Sequence, residues 1–412
     1  MAAKANAYDV LKERGFVQQV TDEEGLRELF AHTVVTAYIG FDPTADSLHV
    51  GSLMPIMGLV HLQRCGHRPI VVIGGGTALV GDPSGKTEMR QMLSREQIAA
   101  NAERIRAQIA RFVDLAGDRG IVVDNSEWLV PLNYIDFLRE IGRHFSVNRM
   151  LAAEAYRIRL ETGLSFLEFN YQLLQAYDYL VLYRRYGCRL QMGGDDQWGN
   201  IVAGIDLIRR LEGVETYGLT FPLLTTASGQ KMGKTAKGAV WLDPQKTSPY
   251  DFYQYWINTD DRDVERFLSY FTLLPMEEVK RLGALQGEEL REAKEVLAFE
   301  VTRLTHGEEE ARRAREAARA AFYGAGDISA LPTTAIPGEV LRVGLPMVDL
   351  LLRAGLVKSK SEARRLIQQG GAYINGERVD DVERIVSERD LIDGSLILRA
   401  GKKRYHRIVT ER

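Results

Sequence analysis

Tyr38-Ile39-Gly40-Phe41-Asp42-Pro43-Thr44-Ala45-Asp46-Ser47-Leu48-His49-Val50-Gly51-Ser52 reads as a strand end, a turn-rich loop and a helix start. Val34 to Ile39 alternates β-branched, small and aromatic residues, the mark of a buried strand. Asp42-Pro43 and Ala45-Asp46-Ser47 carry turn and capping chemistry, with Ser47 or Asp46 the expected N-cap. From His49 to Cys65 the spacing is helical, Gly66 stops the helix, and Pro69 to Ile73 reads as the next strand. Together these make one βαβ unit, whose first turn is where an open parallel sheet binds nucleotides. A helix N-terminus there offers free N–H groups and a positive dipole end to phosphate.

Working outward, residues 1–33 read as helices, with Thr21-Asp22-Glu23-Glu24 as a cap. After the second strand come Gly74-Gly75-Gly76 and a further glycine-rich loop, Gly81-Asp82-Pro83-Ser84-Gly85-Lys86. Ser94 caps a charged helix to about Val113, Ile121 to Val123 is a short strand, and Val130 to Ile141 is helical. Phe166 to Tyr186 reads as one long, largely apolar helix, hence buried, and Cys188 to Met192 as a strand. Strands and helices alternate from 34 to 212, which predicts an α/β fold with a Rossmann-like, doubly wound parallel sheet. The expected organisation is a catalytic domain over 1–247, a helical domain over 248–322, a Gly/Pro/Thr-rich linker over 323–345 and a compact α+β module over 346–412. Two short helices, Met347–Leu352 and Ser361–Gln369, and a tight turn at Asn375-Gly376 mark that module.

Composition narrows the class. A 412-residue chain with 45% hydrophobic and 26% charged residues suits a globular enzyme of two or three domains. No apolar run approaches membrane-spanning length and the N-terminus has no signal-like core, so no membrane partner is expected. Cys65 and Cys188 form neither a disulfide framework nor a metal spacing, which predicts a reducing cytoplasm and no protein-bound metal. Lys358 to Arg412 holds thirteen Lys and Arg against nine Asp and Glu, so a tail of +4 follows a body of −7. That asymmetry points to an RNA- or membrane-facing module.

Tyr171, Gln175 and Asp178 fall at i, i+4 and i+7, a polar stripe on an otherwise apolar helix. Such a stripe is costly unless satisfied, either by an internal hydrogen-bond network or by a small polar ligand. Taken singly, Asp82 reads as a turn residue, Lys86 as a solvated lysine and His49 as a helix-start polar group. Lys231-Met232-Gly233-Lys234-Thr235 reads either as a charged surface loop or as mobile positive charge for a departing polyphosphate.

The ordered set DPTADSLHVGS, GDPSGK, FNYQLLQAYDY, LQMGGDDQWGN, KMGKT and KTSPYDFYQYWINTDDRDV resembles bacterial tyrosyl-tRNA synthetases, over nearly the whole chain. His49-Val50-Gly51-Ser52 and Lys231 to Thr235 resemble the HIGH and KMSKS motifs of class I synthetases. The tail resembles an RNA-binding domain shared with a ribosomal small-subunit protein. The resemblance implies that Tyr38 and Asp178 bind the phenolic hydroxyl of tyrosine, with Asp82, Tyr171 and Gln175 on its ammonium and Gln197 near its carboxylate. His49 and Thr44 would contact ATP phosphates, Asp42, Ser52 and Asp196 would lie near the nucleotide, and Lys86, Arg90, Lys231 and Lys234 would neutralise pyrophosphate. Lys358, Lys360, Arg364, Arg365, Lys402, Lys403 and Arg404 would meet tRNA backbone. Implied co-substrates are tyrosine, tRNA(Tyr) and ATP with Mg2+ on its phosphates; no prosthetic group is implied, and the implied assembly is a homodimer.

Three positions depart from the family pattern. Ser52 replaces the second HIGH histidine, Ile39 replaces a cysteine common after the pocket tyrosine, and Gly233 replaces the KMSKS serine. Two other readings compete. A synthetase-like RNA binder would have lost activation, and Ser52 alone leans that way. A tryptophanyl synthetase or small nucleotidyltransferase would share HxGx, but the polar Tyr38/Asp178 pair disfavours indole, and a small nucleotidyltransferase would lack the helical and tail regions.

Overall fold

The computed structural model describes residues 5–84, 92–229, 232, 234–235, 238–323, 331–401 and 404–411. Its contacts divide the chain into two units, 1–246 with 259–293, and 247–258 with 294–412.

The first unit opens with α1 (Ala7–Glu13), a two-residue strand β1 (Gln19–Val20) and α2 (Glu23–His32), which Asp22 caps by accepting the Gly25 N–H at 3.0 Å. Then follow β2 (Thr36–Phe41), a short 3-10 turn (Val50–Ser52), α3 (Leu53–Arg64), β3 (Arg68–Ile73) and α4 (Arg95–Ile109). Ser94 and Gln97 close α4 with the reciprocal bonds of a capping box. After β4 (Ile121–Asp124) come α5 (Ser126–Leu129), α6 (Tyr134–Glu140), α7 (Val147–Leu151), α8 (Glu154–Thr162), α9 (Phe166–Phe169) and α10 (Tyr171–Tyr186). β5 (Leu190–Gly194), α11 (Trp198–Glu212), β6 (Tyr217–Phe221) and the hairpin β7 (Lys234–Thr235) and β8 (Gly238–Ala239) complete the alternation.

Five strands are parallel in the order β6-β5-β2-β3-β4, and β1 adds an antiparallel edge beside β6. The order reverses between β2 and β5, so the crevice of this doubly wound sheet opens beyond Phe41 and Gly194. α3 buries most of its length, including Ile56, Leu59 and Leu62. α10 packs Leu180, Leu182 and Ala176 into a core with Ile70, Val72 and Leu207.

Local expectations shift for identifiable reasons. The helix expected over 130–141 starts only at Tyr134, because Asn133 accepts the N–H groups of Ile135 and Asp136. The helix expected over 166–186 breaks at Asn170: the Tyr156 hydroxyl accepts the Gln172 N–H (3.2 Å) and donates to the Phe169 carbonyl (2.9 Å), so neither group bonds along the helix. The expected N-cap at Asp46 or Ser47 moves to His49, whose Nδ1 accepts the Gly51 N–H at 3.0 Å.

Next in the chain are α12 (Pro249–Ile257), α13 (Val264–Phe271), α14 (Met276–Gly283), α15 (Leu290–His306) and α16 (Glu308–Tyr323). The region is helical as expected, but it is not one domain: α12 and residues from 294 onward group with the tail, and 259–293 with the sheet. Nor is 323–345 a linker throughout. It contains β9 (Thr333–Pro337), paired in parallel with a late strand, and α17 (Gly338–Val343). Its Thr/Pro composition suits an edge strand, where the missing proline N–H is tolerated, and Ile336 is buried in the tail's core.

The tail continues with β10 (Leu345–Pro346), α18 (Met347–Arg353), α19 (Lys360–Gln368), β11 (Ala372–Ile374), β12 (Glu377–Val379), β13 (Ile385–Val386), β14 (Ser395–Ala400) and β15 (Arg404–Glu411). Five of these strands order as β12-β11-β14-β15-β9. Asn375 and Gly376, both at positive φ, turn β11 into β12.

Candidate active site

The crevice between β2 and β5 holds a cavity of about 290 Å3. Tyr38 and Asp178 line it, as do Asp42, Asp82, Tyr171, Gln175 and Gln197. The i, i+4, i+7 stripe of α10 therefore faces one space, as its spacing predicts.

Tyr38 and Asp178 are both buried. Asp178 accepts from Asn125 Nδ2 at 2.9 Å and from Trp128 Nε1 at 2.7 Å. Burial pushes its carboxyl up to about 8, against those two donors, which favour the ionised form. Among the described residues no group hydrogen-bonds the buried Tyr38 hydroxyl, and burial, with Asp178 nearby, raises its pKa well above the ordinary value. An unpaired phenol beside a carboxylate is a site for a hydroxyl, which can donate to one and accept from the other.

A second group lies along α10. Tyr171 donates to Asp42 (3.2 Å), Thr77 Oγ1 also donates to Asp42 (2.9 Å), and Asn125 Nδ2 reaches Thr77 Oγ1 (3.0 Å). Gln197 Nε2 donates to Asp82 at 2.7 Å, and Asn200 Nδ2 donates to Gln175 at 3.1 Å. Burial raises the Asp82 carboxyl to about 6, with Asp42 adding like charge. Asp42 and Asp82, like charges on one cavity, favour a cation.

At the rim, His49 is exposed and Ser52 lines the cavity. With Nδ1 accepting from Gly51, the neutral His49 ring carries its proton on Nε2. Thr44 is exposed and lies outside the residues lining the cavity; Asp196 accepts from Gln197 at 3.4 Å. Lys234 falls in β7, and Lys86, Arg90, Lys231, Lys402 and Lys403 lie outside the described residues. In the tail Arg364 and Arg365 are exposed on α19. Lys360 instead pairs with Asp349 at 2.6 Å, and Arg404 donates to the Leu356 carbonyl at 2.6 Å, so part of the expected RNA-facing charge is used internally.

Sequence reasoning missed Thr77, Asn125, Trp128, Gln191 and Asn200. Asn125 and Trp128 follow the C-terminal end of β4, where a parallel sheet places its site residues, and that rule could have flagged them. Gln191 is a buried polar residue inside β5 whose Oε1 has no partner among the described residues. Among the described residues no group of three or more His, Cys, Asp and Glu could hold a metal ion.

This chain matches the class I aminoacyl-tRNA synthetase family, whose fold has such a parallel sheet. Residues 31–323 match the family of class I tRNA synthetases for tryptophan and tyrosine, and 328–408 match the tyrosine–tRNA ligase SYY-like C-terminal domain. The tyrosine–tRNA ligase of Caldanaerobacter subterraneus subsp. tengcongensis is 57% identical over 403 residues, 98% of this chain and 99% of that protein. That of Clostridium tetani is 56% identical, over 98% and 99% of the two chains. A C-terminally truncated mitochondrial tyrosyl-tRNA synthetase from Aspergillus nidulans superposes with a TM-score of 0.70 at 31% identity, covering 78% of this chain and 95% of that one. The chain belongs to the tyrosine–tRNA ligase family, and its activity is that of an ATP-dependent aminoacyl-tRNA ligase.

Proposed function

We propose that tyrosine binds with its phenol against Tyr38 and Asp178 and its ammonium among Asp82, Tyr171 and Gln175. The observation that carries this reading is the unpaired Tyr38 hydroxyl beside a carboxylate held by Asn125 and Trp128. Gln197, already turned to Asp82, stands near the substrate carboxylate. That carboxylate is ionised at pH 7 and attacks the α-phosphorus of ATP in line, so the step asks for no general base. Tyrosyl adenylate forms and pyrophosphate leaves; the terminal adenosine hydroxyl of tRNA(Tyr) then attacks the tyrosyl carbonyl, breaking the acyl–phosphate bond, and AMP leaves. His49 Nε2 and Thr44 meet the phosphates, with Asp42, Ser52 and Asp196 toward the nucleotide. Lys86, Arg90, Lys231 and Lys234 neutralise the leaving pyrophosphate. Magnesium enters on ATP as part of that substrate. Arg364 and Arg365 are the exposed tail cations that contact tRNA backbone, alongside Lys358, Lys402 and Lys403.

The test is exchange of labelled pyrophosphate into ATP. Exchange should require tyrosine, and exchange driven by tryptophan, or none, overturns the reading. Asp178→Ala should lower tyrosine activation by roughly ten- to a hundred-fold, the loss of a hydrogen bond to a charged group, with ATP affinity little changed. Retained discrimination against phenylalanine in that variant would remove the phenol assignment.

The chain acts as a homodimer in the cytoplasm on this reading. Tyr134, Ile135, Val147, Leu160 and Phe166 are exposed apolar side chains concentrated in 130–167, with Phe166 70% exposed. Ile135→Asp with Phe166→Asp should halve the mass measured by light scattering, and an unchanged mass would place the interface elsewhere. No helix among the described residues is long and apolar enough to cross a membrane.

A further inference from the structure

Between the cavity rim and the β7–β8 hairpin runs a set of contacts that the activation chemistry leaves unused. β8 runs directly into Val240, Trp241 and Leu242, which pair with the loop preceding α3. The Val50 N–H donates to the Val240 carbonyl (3.0 Å), the Leu242 N–H donates to the Leu48 carbonyl (2.8 Å), and His49 and Trp241 form the bridge between them. The hairpin carrying Lys234 is thereby placed in register with His49.

Asp46 locks this arrangement from two sides. Lys246 reaches its Oδ1 at 2.5 Å and Arg104 of α4 its Oδ2 at 3.1 Å. The Lys246 ammonium also lies 5.2 Å from the centroid of the Trp241 ring, in the strap formed by Val240, Trp241 and Leu242. α4 grips the same loop along one face: Asn101 donates to the Pro43 carbonyl, and Gln108 accepts from the Leu48 N–H and donates to Ser47 Oγ. Asn101, Arg104 and Gln108 recur at helical spacing, so α4, the loop and the strap form one clasp.

We propose that Asp46 is a positioning residue for adenylate formation, holding the Lys234 hairpin in register with His49 through Lys246 and Arg104. This rests on the reading that Lys234 neutralises pyrophosphate. Asp46 touches no part of the cavity and is absent from its lining, so it acts only through the clasp. The ion pair is about one-third exposed on each side, which limits its worth.

The experiment is a set of full-length variants in tyrosine-dependent pyrophosphate exchange, with melting temperature measured in parallel. Asp46→Asn and Lys246→Met should each lower kcat about five-fold, a rate factor matching about 1 kcal/mol. KM for tyrosine should stay unchanged, and the double variant should be no slower than the slower single one. Asp46→Glu should recover most of kcat. Unchanged kcat in Asp46→Asn, additive losses, a loss confined to KM for tyrosine, or a loss that follows melting temperature would each overturn the proposal. Lys234→Ala separates the two readings: if it slows exchange and Asp46→Asn does not, the clasp fails alone; if Lys234→Ala has no effect, the role given to the lysine loop fails.

Discussion

Asp178 and Asp82 are held against ionisation by burial, at about 8 and about 6 in place of an ordinary 3.8. A folded-state pKa above the unfolded one means the folded chain binds more protons at intermediate pH. The stability these groups contribute is complete below about pH 4 and is lost as pH rises through 6 and then 8. The ligand-free protein should therefore melt at a lower temperature at pH 9 than at pH 6 by scanning calorimetry; a profile rising over that range contradicts the assignment. Tyrosine brings an ammonium to Asp82 and a phenol O–H to Asp178, and both favour the carboxylate. Binding at pH 7 should release protons, seen as a dependence of titration heat on the buffer's ionisation enthalpy. The carboxylates themselves were legible in sequence from helical spacing and motif order. Their partners were not: Asn125 and Trp128 lie some fifty residues from Asp178, and only the β3–β4 pairing brings them to it.

At the scale of elements, the loop after β3 depends on a glycine for its shape. A Cβ on Gly74 would run into Asp42 Oδ1 and come within 2.5 Å of Thr77 Oγ1, separating the hydrogen bond between them. Gly74→Ala should raise KM for tyrosine roughly ten-fold, the worth of one or two displaced hydrogen bonds, while circular dichroism remains that of the parent. An unchanged KM would mean that the Asp42–Thr77 link does not shape the pocket. The βαβ core, the α10 stripe and the Ser94 cap follow from periodicity and capping chemistry, because each is set by residues close in sequence. The α10 break does not, since a tyrosine from α8 diverts its hydrogen bonds. The cap at His49 is likewise tertiary: Ser47 is bonded to Gln108, and Asp46 to Lys246 and Arg104.

For the whole molecule, the tail's boundary decides how it can be cut. β9 pairs with β15 over five residues, so a chain ending at 345 keeps a strand without its partner, whereas one ending at 323 does not. The 1–323 chain should retain pyrophosphate exchange and lose tRNA charging by roughly ten-fold or more, through lost backbone contacts. The 1–345 chain should aggregate more readily in static light scattering. Equal charging by 1–323 and the full chain would show the tail is dispensable for tRNA. The second unit draws on 247–258 as well as 294–412, and α12 supplies Tyr250 to a buried cluster with Ala317 and Leu331. A gene fragment encoding 294–412 alone would therefore lack a piece of its own interior. Exchange of this region between homologues by recombination must carry a short upstream cassette with it, or accept a mismatched helix at Tyr250.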